Sequence, residues 1–155
     1  MPGTTAASRA KAFIPMCKLW ALCALLLLFT TACNNSNGIG PRIPEVFVDE
    51  QISVNSQLYP GLRQDGGYAY INGGYKGILI VRQNASQYLA FERACPYDPT
   101  ASCSQVEVDP SNLFIVDDCC GSQFNMQGNV TGGPSVYGLQ QYRTALSGSL
   151  LYISN

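Results

Sequence analysis

The stretch Asp117-Asp118-Cys119-Cys120-Gly121-Ser122-Gln123-Phe124 follows an apolar run at residues 113–116, and it has a counterpart earlier in the chain. There, Ala94-Cys95-Pro96-Tyr97-Asp98 follows a β-prone run at residues 88–92. Short runs rich in β-branched and aromatic residues, each ended by turn-forming residues, are typical of strands joined by loops. The sequence therefore predicts two cysteine-containing loops, each at the end of a strand.

The rest of the chain from Pro44 onward continues this pattern, without a helical period of useful length. We predict one antiparallel all-β domain at residues 44–155, with hairpin turns at 72–74 and 84–86. The predicted strands are 46–48, 52–54, 68–71, 77–82, 87–92, 106–108, 113–116, 139–143 and 150–154. The side chains expected to fill the sheet are Tyr68, Tyr70, Ile78, Ile80, Tyr88 and Phe91.

The N-terminal region has the form of a signal peptide. Its last basic residue is Lys18, an apolar run follows at residues 19–29, and three small residues precede Cys33. This run is too short to span a bilayer as a helix, which needs about 20 residues. Cys33 stands where the lipobox of bacterial lipoproteins carries its acylated cysteine, although cleavage that leaves Cys33 unmodified stays open. We predict a signal peptide at residues 1–33 and lipidation of Cys33.

Residues 34–43 are polar and turn-rich, which predicts a flexible tether between the lipid and the domain. The protein is then exported and lipid-anchored to the bacterial cell envelope, at its periplasmic or outer-membrane face. The true start is either Met1 or Met16, because the segment from Met16 is a complete short signal on its own.

The downstream cysteines are expected to pair. The signal lacks the Arg-Arg pair that directs folded proteins across the membrane, so the chain crosses unfolded and its thiols meet an oxidising compartment. Cys95, Cys103, Cys119 and Cys120 form an even set, which indicates disulfides but leaves their connectivity open.

Composition excludes several functions. The chain has no histidine, which removes imidazole-based nucleophile pairs, histidine-ligated zinc and histidine pH switches. The formal net charge is −1, and the basic residues Arg9, Lys11 and Lys18 belong to the signal, so nucleic acid is not an expected partner. Asp117 and Asp118 are adjacent acids without a third polar partner in the sequence, and we expect them to be solvated loop charges without a catalytic role.

The two loops together resemble those of the Rieske iron–sulfur family. In that family one loop reads Cys-x-His, the other reads Cys-x-x-His-Gly-Ser-x-(Tyr/Phe), and a Gly-Pro segment closes over the cluster. Here Gly121-Ser122-Gln123-Phe124 and Gly133-Pro134 match that pattern. The resemblance implies an antiparallel Rieske-like β-sandwich in which the two loops would form the cluster site.

The cluster ligands, however, are mostly replaced. Carried over residue by residue, the ligand positions are Cys95, Tyr97, Asp117 and Cys120, where the family has Cys, His, Cys and His. A Rieske cluster needs two thiolates on one iron and two imidazoles on the other. We therefore expect no cofactor and no metal site, and we expect Tyr97 and Phe124 to be buried near Cys120, where they would fill the space of the cluster.

The resemblance also implies the disulfide pairing. Many Rieske proteins join their loops by a bridge whose positions correspond here to Cys103 and Cys119. Cys95 and Cys120 are then left on opposing loops, and we predict that they form a second bridge where the cluster would stand.

These features favour an envelope lipoprotein with a disulfide-stabilised Rieske-like domain, acting as a binding or structural module on an unknown envelope protein rather than as an enzyme. The alternative is an electron-transfer protein that holds a 2Fe–2S cluster through ligands such as Cys95, Cys119 or Cys120, Cys103 and Asp117. A third reading is thiol–disulfide exchange by Cys95 and Cys120, although the chain has no Cys-x-x-Cys.

Overall fold

The structure is a computed structural model that describes residues 42–155. The predicted signal peptide at 1–33, the Cys33 lipidation site, both candidate start residues and nearly all of the tether at 34–43 lie outside the described residues. Within residues 42–155, no helix is long and apolar enough to cross a membrane.

The described chain is all-β apart from a short 3₁₀ helix at Pro60–Arg63, which confirms the predicted fold class. All strand pairs are antiparallel. In chain order the strands are β1 (Asp49–Ser53), β2 (Tyr68–Ile71), β3 (Ile78–Asn84), β4 (Gln87–Glu92), β5 (Glu107–Val108), β6 (Ile115–Val116), β7 (Gln123–Phe124), β8 (Val130–Gly132), β9 (Gln141–Ser147) and β10 (Leu150–Ser154).

The strands form two sheets. A six-stranded sheet has the order β1-β10-β9-β4-β3-β2, and a four-stranded sheet has the order β5-β6-β7-β8. The hairpin between β9 and β10 turns at Gly148, whose φ of +61° is a conformation that glycine adopts without strain. The hairpin between β3 and β4 turns at the predicted place, where the Asn84 side chain accepts a hydrogen bond from the Ser86 amide at 3.0 Å.

Strand β3 lies between two hydrophobic clusters, and its first four residues are fully buried. Because side chains alternate across a strand, Ile78 and Ile80 join one cluster while Leu79 and Val81 join the other. The first cluster also contains residues of the other five strands of the large sheet, together with Leu62 of the 3₁₀ helix, Val48 and Val54. The second contains Phe91, Cys95, Ile115 and Phe124, so it places the core of the domain directly beneath the two cysteine-containing loops.

The predicted ranges of β2, β4 and β10 agree with the structure, whereas the strand predicted at 46–48 is wrong. There the chain has no strand partner, and the terminal Asn155 side chain takes its place. Asn155 accepts a hydrogen bond from the Val48 amide at 3.2 Å and donates one to the Val46 carbonyl at 2.8 Å. The sequence does not predict strands β7 and β8, because their residues are flanked by turn-forming residues and include no apolar run of their own.

A buried carboxylate connects β4 to the elements around it. Glu92, the last residue of β4, is fully buried. It accepts hydrogen bonds from the amides of Tyr75 at 2.6 Å, Lys76 at 2.8 Å and Ala94 at 2.9 Å, and from the Tyr142 hydroxyl at 2.7 Å. One side chain thus fixes the β2–β3 turn, the start of the first cysteine loop and β9.

We expect Glu92→Ala to destabilise the domain much more than Tyr142→Phe. The first variant leaves four donors without an acceptor, two of them in buried hydrogen bonds, and should cost about 3 kcal/mol or more, while the second removes one hydrogen bond and should cost about 1 kcal/mol. Urea unfolding of both variants and the parent measures the two differences. Equal losses would show that the Glu92 carboxylate does not organise these elements.

Candidate functional site

The first loop runs from the end of β4 and buries its cysteine. Ala94 and Cys95 have no exposed surface. The Cys95 amide donates a hydrogen bond to the Ser104 hydroxyl at 3.2 Å, so the loop is held from beneath by a residue further along the same segment. Cys95 belongs to the second hydrophobic cluster, which places its thiol on the apolar side of the loop.

The second loop is a tight turn organised by Asp117. One carboxylate oxygen of Asp117 accepts hydrogen bonds from the amides of Cys119 at 2.7 Å and Cys120 at 3.1 Å. The Gly121 amide donates to the Asp117 carbonyl at 2.7 Å, and Gly121 closes the turn with a φ of +75°. The expectation that Asp117 and Asp118 are both solvated is therefore wrong for Asp117, which is fully buried, and it holds for the exposed Asp118.

The Gly-Pro segment lies against this turn. A Cβ at Gly133 would collide with the Gly121 carbonyl oxygen and the Ser122 Cα, so only glycine allows this approach. The Ser135 amide then donates to the Ser122 hydroxyl at 3.1 Å. The segment after β8 is thus fixed over the second loop, as the matching sequence pattern indicates.

A disulfide between Cys103 and Cys119 joins the two loops across a sequence separation of 16 residues. This is the pairing that the family resemblance implies. Cys119 is exposed while its neighbour Cys120 points toward the second cluster, so the adjacent cysteines serve different partners.

The second predicted bridge is not formed in this structure, where Cys95 and Cys120 are free thiols. Their Sγ atoms lie 3.5 Å apart, against about 2.05 Å in a disulfide. The Cys120 Sγ also contacts the Ser122 hydroxyl at 3.0 Å, which gives this thiol a second polar neighbour. The two sulfurs nonetheless face each other from opposing loops, as the resemblance implies.

Three potential ligand atoms converge at this point. Each of Cys95, Asp117 and Cys120 contributes one potential ligand atom, and these three atoms lie within 4.8 Å of one another. The second carboxylate oxygen of Asp117, Oδ2, is buried and has no hydrogen-bond partner among the described residues. Buried polar atoms are nearly always paired, so this oxygen is available to a further partner.

The Cys95 thiol is in a poor environment for nucleophilic chemistry. Burial, with further contributions from the neighbouring Cys120 and the Asp117 charge, raises the pKa of Cys95 to about 12. Reactive cysteines instead have a lowered pKa, since the thiolate is the nucleophile. Cys95 therefore lacks the electrostatics of the attacking thiol in a thiol–disulfide exchange catalyst.

The two aromatic residues expected to fill the cluster space behave differently. Phe124 is fully buried in the second cluster, against which Cys120 packs, so that expectation is confirmed. Tyr97 is 48% exposed, so the expectation of its burial is wrong. Tyr97 lines a pocket of about 270 Å³ together with residues that include Cys120 and Pro134.

The residues at the family's ligand positions do not fit a Rieske cluster. The chain offers no imidazole, Tyr97 faces solvent, and the Cys103–Cys119 disulfide removes two other thiols. In the family pattern Cys95 and Cys120 would bind different irons, yet their Sγ atoms are in contact at 3.5 Å. Two irons and their bridging sulfides have no room between atoms at that separation.

Comparison with known proteins supports the fold. No protein-family model and no curated protein matches the chain. Among solved structures, the chain is similar to the cyanobacterial plasma membrane Rieske protein PetC3 from Synechocystis PCC 6803, with 24% sequence identity and a TM-score of 0.52. The match covers 67% of this chain and 99% of that protein. The chain therefore has a Rieske-like antiparallel β-sandwich fold.

We expect the Cys103–Cys119 bridge to be a major source of stability for the loops. The double variant Cys103→Ser/Cys119→Ser should lose roughly 2–4 kcal/mol, because the unfolded chain regains the freedom that the cross-link removes. Urea unfolding of the parent and the variant, each with and without reductant, measures this loss. Reductant should destabilise the parent and leave the variant unchanged; a parent that is insensitive to reductant would contradict the expectation.

Proposed function

We propose that this chain is an envelope lipoprotein whose Rieske-like domain works without a 2Fe–2S cluster, as a binding or structural module stabilised by disulfide bonding. The main support is the donor set at the former cluster site, where Cys95 and Cys120 are in contact and no imidazole is available. Fold alone does not determine function, so the chemistry of these residues outweighs the likeness to electron-transfer proteins.

Links between protein atoms hold the two loops together. The Cys103–Cys119 bridge joins them, and the Ser122 hydroxyl ties the Gly-Pro segment to the second loop. In cluster-bearing proteins the prosthetic group itself bonds both loops. Here a disulfide and hydrogen bonds between protein atoms join the loops instead. These links support a role for the loops as a rigid surface.

This loop surface offers apolar contact area. Val136 is 80% exposed, and Tyr97 and Tyr137 are 48% and 40% exposed. Tyr97 and Pro134 line the same small pocket, so these side chains lie on neighbouring segments. Clustered exposed apolar side chains are a common feature of protein contact surfaces, which supports binding to another protein of the envelope.

The proposed location follows from the N-terminal sequence. A signal at residues 1–33 with acylation at Cys33 would attach the domain to a membrane through the tether at 34–43. The similar cyanobacterial protein is itself described as a plasma membrane protein, which agrees with an envelope location.

Metal and sulfide analysis of the full chain tests the absence of a cluster. We expect iron far below one atom per chain, no acid-labile sulfide and no visible absorption in protein isolated from its own membrane, because the ligand set does not suit two irons. Stoichiometric iron and sulfide with the absorption of a 2Fe–2S centre would instead establish the alternative, electron transfer through non-standard ligands. A Rieske protein purified in parallel serves as the positive control.

A further inference from the structure

We propose that Cys95, Asp117 and Cys120 form a binding site for a single thiophilic divalent cation of the zinc type. The inference rests on the proposed function, because it requires that the same loops hold no iron–sulfur cluster. From the sequence we expect no metal site. The structure changes this expectation, since it brings a buried carboxylate to the two thiols.

The sulfur positions suit one ion. Zinc binds cysteine sulfur at about 2.3 Å, so two sulfurs 3.5 Å apart would subtend an angle of roughly 100° at the metal, close to tetrahedral. No large movement of the loops is needed to place an ion between Cys95 and Cys120. The Cys103–Cys119 disulfide keeps the two loops in this arrangement.

The third donor is the Asp117 carboxylate. Its first oxygen is used by the amides of the turn, whereas Oδ2 is buried and has no partner among the described residues. An unpaired carboxylate oxygen in a buried position is costly unless a cation or a donor neutralises it. An ion bound to the two sulfurs would lie close to the Asp117 carboxylate, because one ligand atom from each of the three residues lies within 4.8 Å of the others.

Charge and access are also consistent with a divalent ion. Binding would replace the two S–H bonds by metal–sulfur bonds and release two protons to solvent, leaving two thiolates and one carboxylate around the ion. Three protein ligands leave a fourth position open, as in zinc sites that accept water or a further ligand. The pocket beside Cys120, lined also by Ser104 and Pro134, provides a route from solvent.

Cobalt titration of the full chain tests the site directly. Protein would be isolated without oxygen, its metal content measured, and Co²⁺ and Zn²⁺ added in turn. We expect one Co²⁺ per chain with a thiolate-to-cobalt charge-transfer absorption, and its displacement by Zn²⁺. Cys95→Ser and Cys120→Ser should each abolish most of that absorption, since each removes a sulfur ligand.

The two neighbouring acids provide a matched pair of variants. Asp117→Asn keeps an oxygen acceptor for the turn but removes the charge, and should weaken Co²⁺ binding by roughly tenfold or more. Asp118→Asn changes an exposed acid at the next position and should leave the affinity unchanged. Circular dichroism and mapping of the Cys103–Cys119 bridge in each variant show that the fold is intact.

Several outcomes would overturn the inference. One is that chains with reduced Cys95 and Cys120 take up neither Co²⁺ nor Zn²⁺. Another is that Asp117→Asn and the parent bind Co²⁺ with equal affinity. A third is that protein taken from its membrane contains a metal-free Cys95–Cys120 disulfide. Stoichiometric iron with acid-labile sulfide would overturn the proposed function as well. Protein that contains no iron and takes up neither Co²⁺ nor Zn²⁺ would reject the metal site alone.

Discussion

The covalent link between Cys103 and Cys119 constrains the whole loop end of the domain. The strands beneath the loops are very short, since β5, β6 and β7 contain only two residues each. Such strands contribute few ladder hydrogen bonds, and isolated pairs of this size are unstable in water. The small sheet therefore depends on the disulfide above it and on the apolar cluster around Ile115 and Phe124 below it.

The opposite end of the first loop is fixed by Glu92. Its carboxylate collects four hydrogen bonds at the point where β4 becomes the loop, and Gly74 makes room for it because any larger residue would collide with the carboxylate. Cys95 lies three residues beyond this anchor, and its amide is fixed by Ser104. The backbone that carries the Cys95 thiol is thus held by hydrogen bonds between protein atoms.

The sequence predicted the large sheet well because its strands carry clear signals. Ile78 to Val81 form an apolar run, and turn residues flank both that run and the segment ending at Glu92. The small sheet and the segment at 46–48 were harder to predict, because tertiary contacts decide which backbone groups pair there. At 46–48 these are the contacts of the Asn155 side chain.

At the site, the motif identified Cys95, Asp117 and Cys120 and the Cys103–Cys119 pair. Sequence reasoning could not reveal that Asp117 is buried with an unpaired oxygen, nor that Tyr97 turns outward, because both depend on how the loops fold over each other.

The chain lacks a Rieske ligand set, and the contact between Cys95 and Cys120 permits a different chemistry of the two sulfurs. Two thiols in contact can be oxidised to a disulfide or can capture a soft cation. Oxidation would satisfy the sulfurs but would leave the buried Asp117 oxygen unpaired, whereas a cation would satisfy all three groups at once. A second disulfide alone would give Asp117 no role beyond its turn, which the first carboxylate oxygen already performs. The arrangement of the carboxylate is therefore the observation that favours a cation over a simple replacement of the cluster by a bridge.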